Sequence, residues 1–360
     1  MIDRLRQPVS PALYRRVTQV ALVLLVLIVV TGAGVRLTGS GLGCSDWPAC
    51  TDKQFVATSG THALIESSNR NLTGVVSVVV VLAVLGSVRR RPRRRDLVWL
   101  SWGLVAGVVG QIVLGGLVVL SHLNPWLVQG HFVVSMLLVL DAVVLADRAG
   151  IPDGLTSPDG TTGPLGPDGP WRPNGVELRP TVTPALHRWG RALVGLAALV
   201  IVTGTLVTGS GPHSGHKELG PGATDAERLK AAQDIKRLPL AVHEAARVHG
   251  IAMMIFLGVT IWVLVQLRRH HAGTAVLAAG STMLTVLVLQ AAIGYTQYFT
   301  GVPPLLVALH VLGATLVWVT TLRLLLKMRA PVEQTPPTAP DSGGGLRTDH
   351  LPHGDLLTGR

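Results

Sequence analysis

Apolar residues run along this chain in long uncharged blocks, without the short alternation of a strand or the narrow stripe of a surface helix. Val17–Val35, Leu97–Leu120 and Thr274–Ile293 are the clearest. Such blocks exceed the ~18 apolar residues that mark a membrane-spanning helix. The pattern predicts eight spans, at roughly 17–35, 68–88, 97–120, 126–146, 186–208, 248–267, 274–295 and 304–326. Between the fourth and fifth, residues 147–185 are dense in Gly, Pro, Asp and Thr with no apolar period, which reads as a flexible linker. Residues 329–360 have the same make-up and read as a disordered tail. The expected fold is therefore an all-α integral membrane protein, with a first four-helix half at 17–146 and a second at 186–328.

Composition agrees, and charge adds orientation. The chain has 360 residues, 48% of them hydrophobic and 14% charged; soluble domains carry about 25% charged residues. An ordinary soluble enzyme, a secreted disulfide scaffold and a disordered chain are excluded. The net charge of +11 comes from basic residues at span ends. Of the 31 Lys and Arg, 22 fall on the side of the termini, including Arg15, Arg16, Arg89–Arg91 and Arg93–Arg95. The positive-inside rule then places residues 1–16 and the tail in the cytoplasm of a multi-pass plasma-membrane protein. The arginine run reads as a stop signal touching membrane lipid rather than a nucleic-acid patch. The first span is long for a signal h-region of about 7–15 residues and has no A-x-A site after it, so it reads as a retained helix.

The halves resemble each other. Gln111-x3-Gly115 returns as Gln290-x3-Gly294, and the same offset of 179 carries Pro125 to Pro304 and His131 to His310. Val30-Thr31-Gly32 and Thr38-Gly39-Ser40-Gly41 return as Val202-Thr203-Gly204 and Thr208-Gly209-Ser210-Gly211. Four spans separate the copies, so the predicted arrangement is two parallel-repeat four-helix bundles related by an axis along the membrane normal.

The repeat points to chemistry. His131 and His310 each lie six residues after their proline, about 9 Å into a helix at 1.5 Å per residue. His249 starts span six at the same depth, with Asn69-Arg70 in the matching region of the first half. Histidines in apolar helices need partners. Matched depth in a repeat favours ligation, and imidazoles from facing helices suit heme. Zinc fits less well, because these positions lack an accompanying Cys, Asp or Glu. Gly110, Gly115, Gly116 and Gly294 would let a macrocycle lie against backbone, or serve tight helix packing. Glu66, Asn69, Arg70 and Thr73 share one helical face. Glu66 and Arg70 are either a functional pair or an interfacial i,i+4 salt bridge. If Asn69 aligns with His249, Glu66 falls on Ala246, so the carboxylate belongs to one half only. Cys44 and Cys50 share the first outer loop, as a disulfide or as a metal pair lacking further ligands. His213, His216 and His243 read as solvated loop residues.

Taken together these residues resemble the heme A synthase family of membrane enzymes. The resemblance rests on Thr38-Gly-Ser-Gly-Leu-Gly-Cys-Ser-Asp-Trp-Pro-Ala-Cys50, Glu66-x3-Arg70, Gln129-Gly-His131, Arg247-Val-His-Gly250 and Leu309-His-Val-Leu-Gly313. It covers about residues 15–328, and the Arg-, Pro- and Gly-rich make-up resembles Gram-positive, actinobacterial members. It implies oxidation of the C8 methyl of heme O to a formyl group, through two hydroxylations and loss of water, giving heme A for cytochrome oxidase. It implies a heme b cofactor on iron ligands His249 and His310, a substrate site with His131 and Asn69, and catalytic Glu66 assisted by Arg70. Electrons would leave through the heme b, and Arg70 would orient Glu66 or bind a heme propionate. Expected partners are a heme O synthase, the oxidase assembly machinery and possible further copies of the chain, with no nucleic acid. Two departures stand out: Asn69 occupies a position where many members have histidine, leaving His62 as a further candidate group, and only one cysteine pair is present. The alternative is a membrane cytochrome b that only carries electrons, which predicts two bis-histidine hemes. A transporter would show charges at the membrane midplane, whereas the polar residues read as clustered at the outer ends.

Overall fold

A computed structural model describes residues 8–152, 178–211 and 237–331. Among the described residues, eight helices are long and apolar enough to cross a membrane. They are α1 (Pro11–Leu37), α2 (Thr61–Arg89), α3 (Arg95–Leu120), α4 (Pro125–Ala149), α5 (Pro184–Ser210), α6 (Val242–Arg269), α7 (Thr274–Phe299) and α8 (Pro304–Lys327). Two three-residue strands, β1 (Leu178–Pro180) and β2 (Arg329–Pro331), pair antiparallel. They tie the close of the expected linker to the start of the expected tail; residues 153–177 and 332–360 of those segments lie outside the described residues.

Local chemistry sets several helix starts. Ser10, Asn124 and Thr183 each accept a backbone N–H of the first turn, and each precedes a proline at the first helical position. Such caps contribute about 1 kcal/mol each. α2 and α6 start earlier than their apolar blocks at 68 and 248, because their first turns are polar and lie outside the stretch a hydropathy window reads.

Within the first half α1 packs on α2, α2 on α3, α3 on α4 and α4 on α1. In the second, α5, α6, α7 and α8 contact one another in the same cyclic order. The halves meet where α8 touches α1 and α4, and where α4 touches α5. Leu22, Leu25, Val139, Leu145, Leu193, Phe256 and Trp318 are among the buried core. Val23, Trp99 and Leu137 stand exposed on the outside, as residues facing lipid do. At the seam the Trp318 indole donates to the Met136 carbonyl at 2.9 Å.

The two ends of the bundle differ. The arginine end holds Arg94–Asp96 at 2.7 Å and Lys327–Asp147 at 2.9 Å, the second pair linking α8 to α4. The disulfide end holds the Cys44–Cys50 bond. Asp141 departs from the expectation that polar residues cluster at the outer ends. It lies inside α4, its carboxylate over Gly103 of α3, where an added Cβ would stand 2.6 Å from Oδ2.

Candidate functional site

The second half brings His249 of α6 and His310 of α8 opposite each other, with ring centroids 6.4 Å apart and planes at 72°. A metal–imidazole bond is about 2 Å long, so two imidazoles on opposite sides of one metal have centroids about 6 Å apart. The pair therefore fits a single iron between the rings. His249 Nδ1 lies 3.1 Å from the Val200 carbonyl oxygen and 3.1 Å from the Thr203 hydroxyl. A carbonyl only accepts, so the ring proton sits on Nδ1 and the Nε2 lone pair is the one left for a metal. Glycines make room for both rings: an added Cβ on Gly204 would stand 3.2 Å from His249 Cε1, and one on Gly294 would stand 3.0 Å from His310 Cε1. Gln290 of α7 donates its amide to the His310 carbonyl at 2.9 Å, which anchors that turn of α8.

The first half repeats this arrangement with one side chain changed. Gln111 of α3 donates to the His131 carbonyl at 2.9 Å and to Ser135 at 2.8 Å. Gly115 faces His131 Cε1, 3.5 Å from an added Cβ. Thr31, the counterpart of Thr203, donates to Asn69 Oδ1 at 2.8 Å. The shared threonine partner fixes the register: Asn69 occupies the place of His249. Its carbonyl oxygen is engaged by Thr31, and an amide nitrogen has no lone pair to offer a metal. This half presents one imidazole and more space; nothing lies within 4 Å of an added Cβ on Gly32, the counterpart of Gly204. His62 sits two turns nearer the disulfide end, with Nδ1 2.9 Å from Ser40 Oγ.

Beside that space lies an ion pair between a buried glutamate and a half-buried arginine. Glu66 is 5% exposed. Its Oε1 accepts from Arg70 at 2.5 Å and its Oε2 from the Cys44 backbone N–H at 2.9 Å. The second Arg70 nitrogen donates to the carbonyls of Asp46 and Ala49, both at 3.0 Å, and to that of Pro48 at 3.4 Å. The pair thus joins α2 to the disulfide loop, so it is more than an i,i+4 contact on one helix. The loop is pressed close. An added Cβ on Gly43 would stand 2.5 Å from the His62 backbone, and one on Gly116 would stand 2.9 Å from the Trp47 ring. Trp47 thereby covers α3 next to Gly115. Of the glycines expected to face a macrocycle, Gly115 and Gly294 border imidazoles, Gly116 takes Trp47, and nothing lies within 4 Å of an added Cβ on Gly110.

No group of three or more His, Cys, Asp and Glu that could hold a metal ion occurs among the described residues. The cysteines form the disulfide rather than a thiolate site. His213 and His216 lie outside the described residues, and His243 is largely exposed, 3.4 Å from Glu244. Two polar residues that the sequence reading passed over for chemistry, Arg36 and Gln129, converge on the last turn of α5. Their signal was a break in the repeat: with Thr38 matched to Thr208, Arg36 falls on Leu206, and Gln129 falls on Ala308.

A family model described as COX15-CtaA, cytochrome oxidase assembly protein, matches residues 15–63 and 54–322. Similar curated proteins are each called heme A synthase. The one from Lysinibacillus sphaericus is 30% identical over 114 residues, 31% of this chain and 37% of that protein. That of Bacillus pumilus is 32% identical over 124 residues, 34% of this chain and 40% of its own. That of Listeria welshimeri is 31% identical over 128 residues, 35% and 42% of the two chains. The matched stretches thus span well under half of each relative's length.

Proposed function

Because the chain belongs to the COX15-CtaA family of cytochrome oxidase assembly proteins, we propose that it is a heme A synthase. In this reading it is a membrane oxidoreductase that converts the C8 methyl of heme O to a formyl group, giving heme A for cytochrome oxidase. The observation that carries the reading is a heme-type ligand pair in one half and its altered copy in the other. His249 and His310 stand 6.4 Å apart, whereas the equivalent place offers His131 with Asn69, beside the buried Glu66.

His249 and His310 would hold a heme b as resident cofactor, and it would supply a one-electron carrier for the electrons taken from the substrate. The substrate heme O lies in the first half with its iron on His131. Asn69 stays with Thr31 and leaves the opposite face of that iron unligated by a second imidazole. Glu66 faces the methyl to be oxidised, taking up its proton or balancing charge that develops there. Arg70 and the Cys44 N–H hold the carboxylate in place, and Trp47 covers α3 beside the site. The oxidation releases four electrons and four protons from the methyl and water together, and its oxygen is supplied by that water. The propionate-binding role considered for Arg70 is set aside, since its guanidinium already serves Glu66 and three loop carbonyls. The arginine end and both termini lie in the cytoplasm, and the disulfide loop faces outward. Heme O reaches the protein from a heme O synthase, and heme A leaves to the oxidase assembly machinery.

An electron carrier with two bis-histidine hemes is disfavoured by Asn69. The test is to express the chain with a heme O synthase in a host lacking heme A, then extract membrane hemes and separate them by reverse-phase chromatography with mass detection. Heme A or its alcohol precursor is the expected product. Heme b and unconverted heme O alone, from folded and heme-loaded protein, would return the reading to an electron carrier.

A further inference from the structure

Arg36 closes α1 at the disulfide end. An arginine at such a place normally extends its head group to water. Arg36 instead turns inward across the seam. Its Nη2 donates to the Thr208 carbonyl of α5 at 3.5 Å, and its Nε is buried with no hydrogen-bond partner. No carboxylate pairs with it among the described residues. One face round on α5, Gln129 of α4 accepts from Thr205 at 3.3 Å through Oε1, while its buried Nε2 donor has no partner. Gln129 is 7% exposed. Two first-half side chains thus bring unmatched donors, one cationic, onto the final turn of a second-half helix. Leaving the half-buried Arg36 guanidinium without an anion is unfavourable, and so is leaving a buried amide N–H unmade.

The position suggests the anion. Thr208 stands one helical turn beyond Gly204, the glycine against the His249 ring. It lies five residues beyond Thr203, the hydroxyl partner of His249. Five residues rise about 7.5 Å, which is the reach of a propionate arm from the iron of a porphyrin. The repeat counterparts, Leu206 for Arg36 and Ala308 for Gln129, supply no such charge over the first-half site.

We propose that Arg36 and Gln129 form a carboxylate clamp for a propionate of the heme held between His249 and His310, so that the first half supplies binding groups to the heme of the second. This rests on the reading that His249 and His310 hold a resident heme. The clamp has two measurable consequences. A guanidinium paired with the propionate retains the heme, and its positive charge disfavours the ferric state.

The test uses full-length protein purified in detergent from a host that makes heme b but no heme O. Wild type, Arg36→Gln, Arg36→Lys and Gln129→Leu are compared for heme content, for heme loss to a scavenging apoprotein, and for midpoint potential. For Arg36→Gln we expect heme loss about tenfold faster and a tenfold shift toward the ferric form, about 59 mV for a one-electron couple. Arg36→Lys restores most of both, because the charge remains, and it stands in should Arg36→Gln fail to fold. Gln129→Leu accelerates loss about threefold. Unchanged loss and potential in Arg36→Gln and Gln129→Leu would overturn the clamp. Faster loss at an unmoved potential would also overturn it, since that is what a loosened seam alone produces. Wild-type protein without a bis-imidazole heme spectrum would overturn the functional reading itself, a result distinct from either.

Discussion

At the scale of single residues, the informative comparison is between Asn69 and His249, which share a threonine partner and differ in what they offer a metal. Asn69→His would place an imidazole on Thr31 as His249 lies on Thr203. The expected outcome is a second low-spin bis-imidazole heme in the absorption and electron paramagnetic resonance spectra, with heme A still formed, since the family that the sequence resembles often has histidine at this position. A single low-spin center in Asn69→His would show that residue 69 does not face the substrate iron. Glu66 raises a different difficulty, because it also ties α2 to the Cys44 N–H. Glu66→Gln keeps an acceptor for that N–H while removing the charge. If the carboxylate serves as base or charge stabiliser, heme A yield falls 10²–10⁴-fold with the resident heme spectrum intact. Retained yield in Glu66→Gln would reduce Glu66 to a tether for the loop.

At the scale of elements, glycine positions separate the two halves sharply. An added Cβ on Gly204 meets His249 at 3.2 Å, whereas on Gly32 it meets nothing within 4 Å. Gly204→Ala is expected to displace the imidazole at an overpacking cost of about 1–3 kcal/mol and to lower resident heme content. Gly32→Ala is expected to leave heme content unchanged, and equal losses in both would deny that His249 rests against Gly204. Elements of this kind were partly legible in advance. The eight helices follow from uncharged block length, and the histidine pairs from the repeat. The first turns of α2 and α6 were missed because hydropathy does not register polar turns at a helix start. The Glu66–Arg70 spacing identified a pair, but only the folded loop shows Arg70 holding the carbonyls of Asp46, Pro48 and Ala49. Arg36 and Gln129 were illegible as a unit because they converge through packing between halves, which no periodicity within one helix encodes.

At the scale of the molecule, one scaffold appears twice with its chemistry divided. Both halves keep the glutamine that grips the histidine carbonyl on the fourth helix, at 2.9 Å in each. Only the first half has Glu66, and only the second has the facing imidazoles. The seam is joined by Trp318 to Met136 and by Lys327 to Asp147, contacts that do not pass through either histidine site. Loss of an iron ligand in the second half should therefore leave the first half folded and able to take its substrate. In His310→Ala the resident heme is expected to be lost, while purified protein from a heme O-producing host still carries heme O in the first half. Heme A yield should fall to background, because electrons from the substrate have no carrier to leave by. Heme extraction with mass detection distinguishes the outcomes. Heme O retained without conversion is the pattern of two sites coupled only by electrons. Heme A at normal yield without the second-half heme would mean that the first half disposes of its electrons unaided, and that the second copy of the scaffold serves something other than turnover.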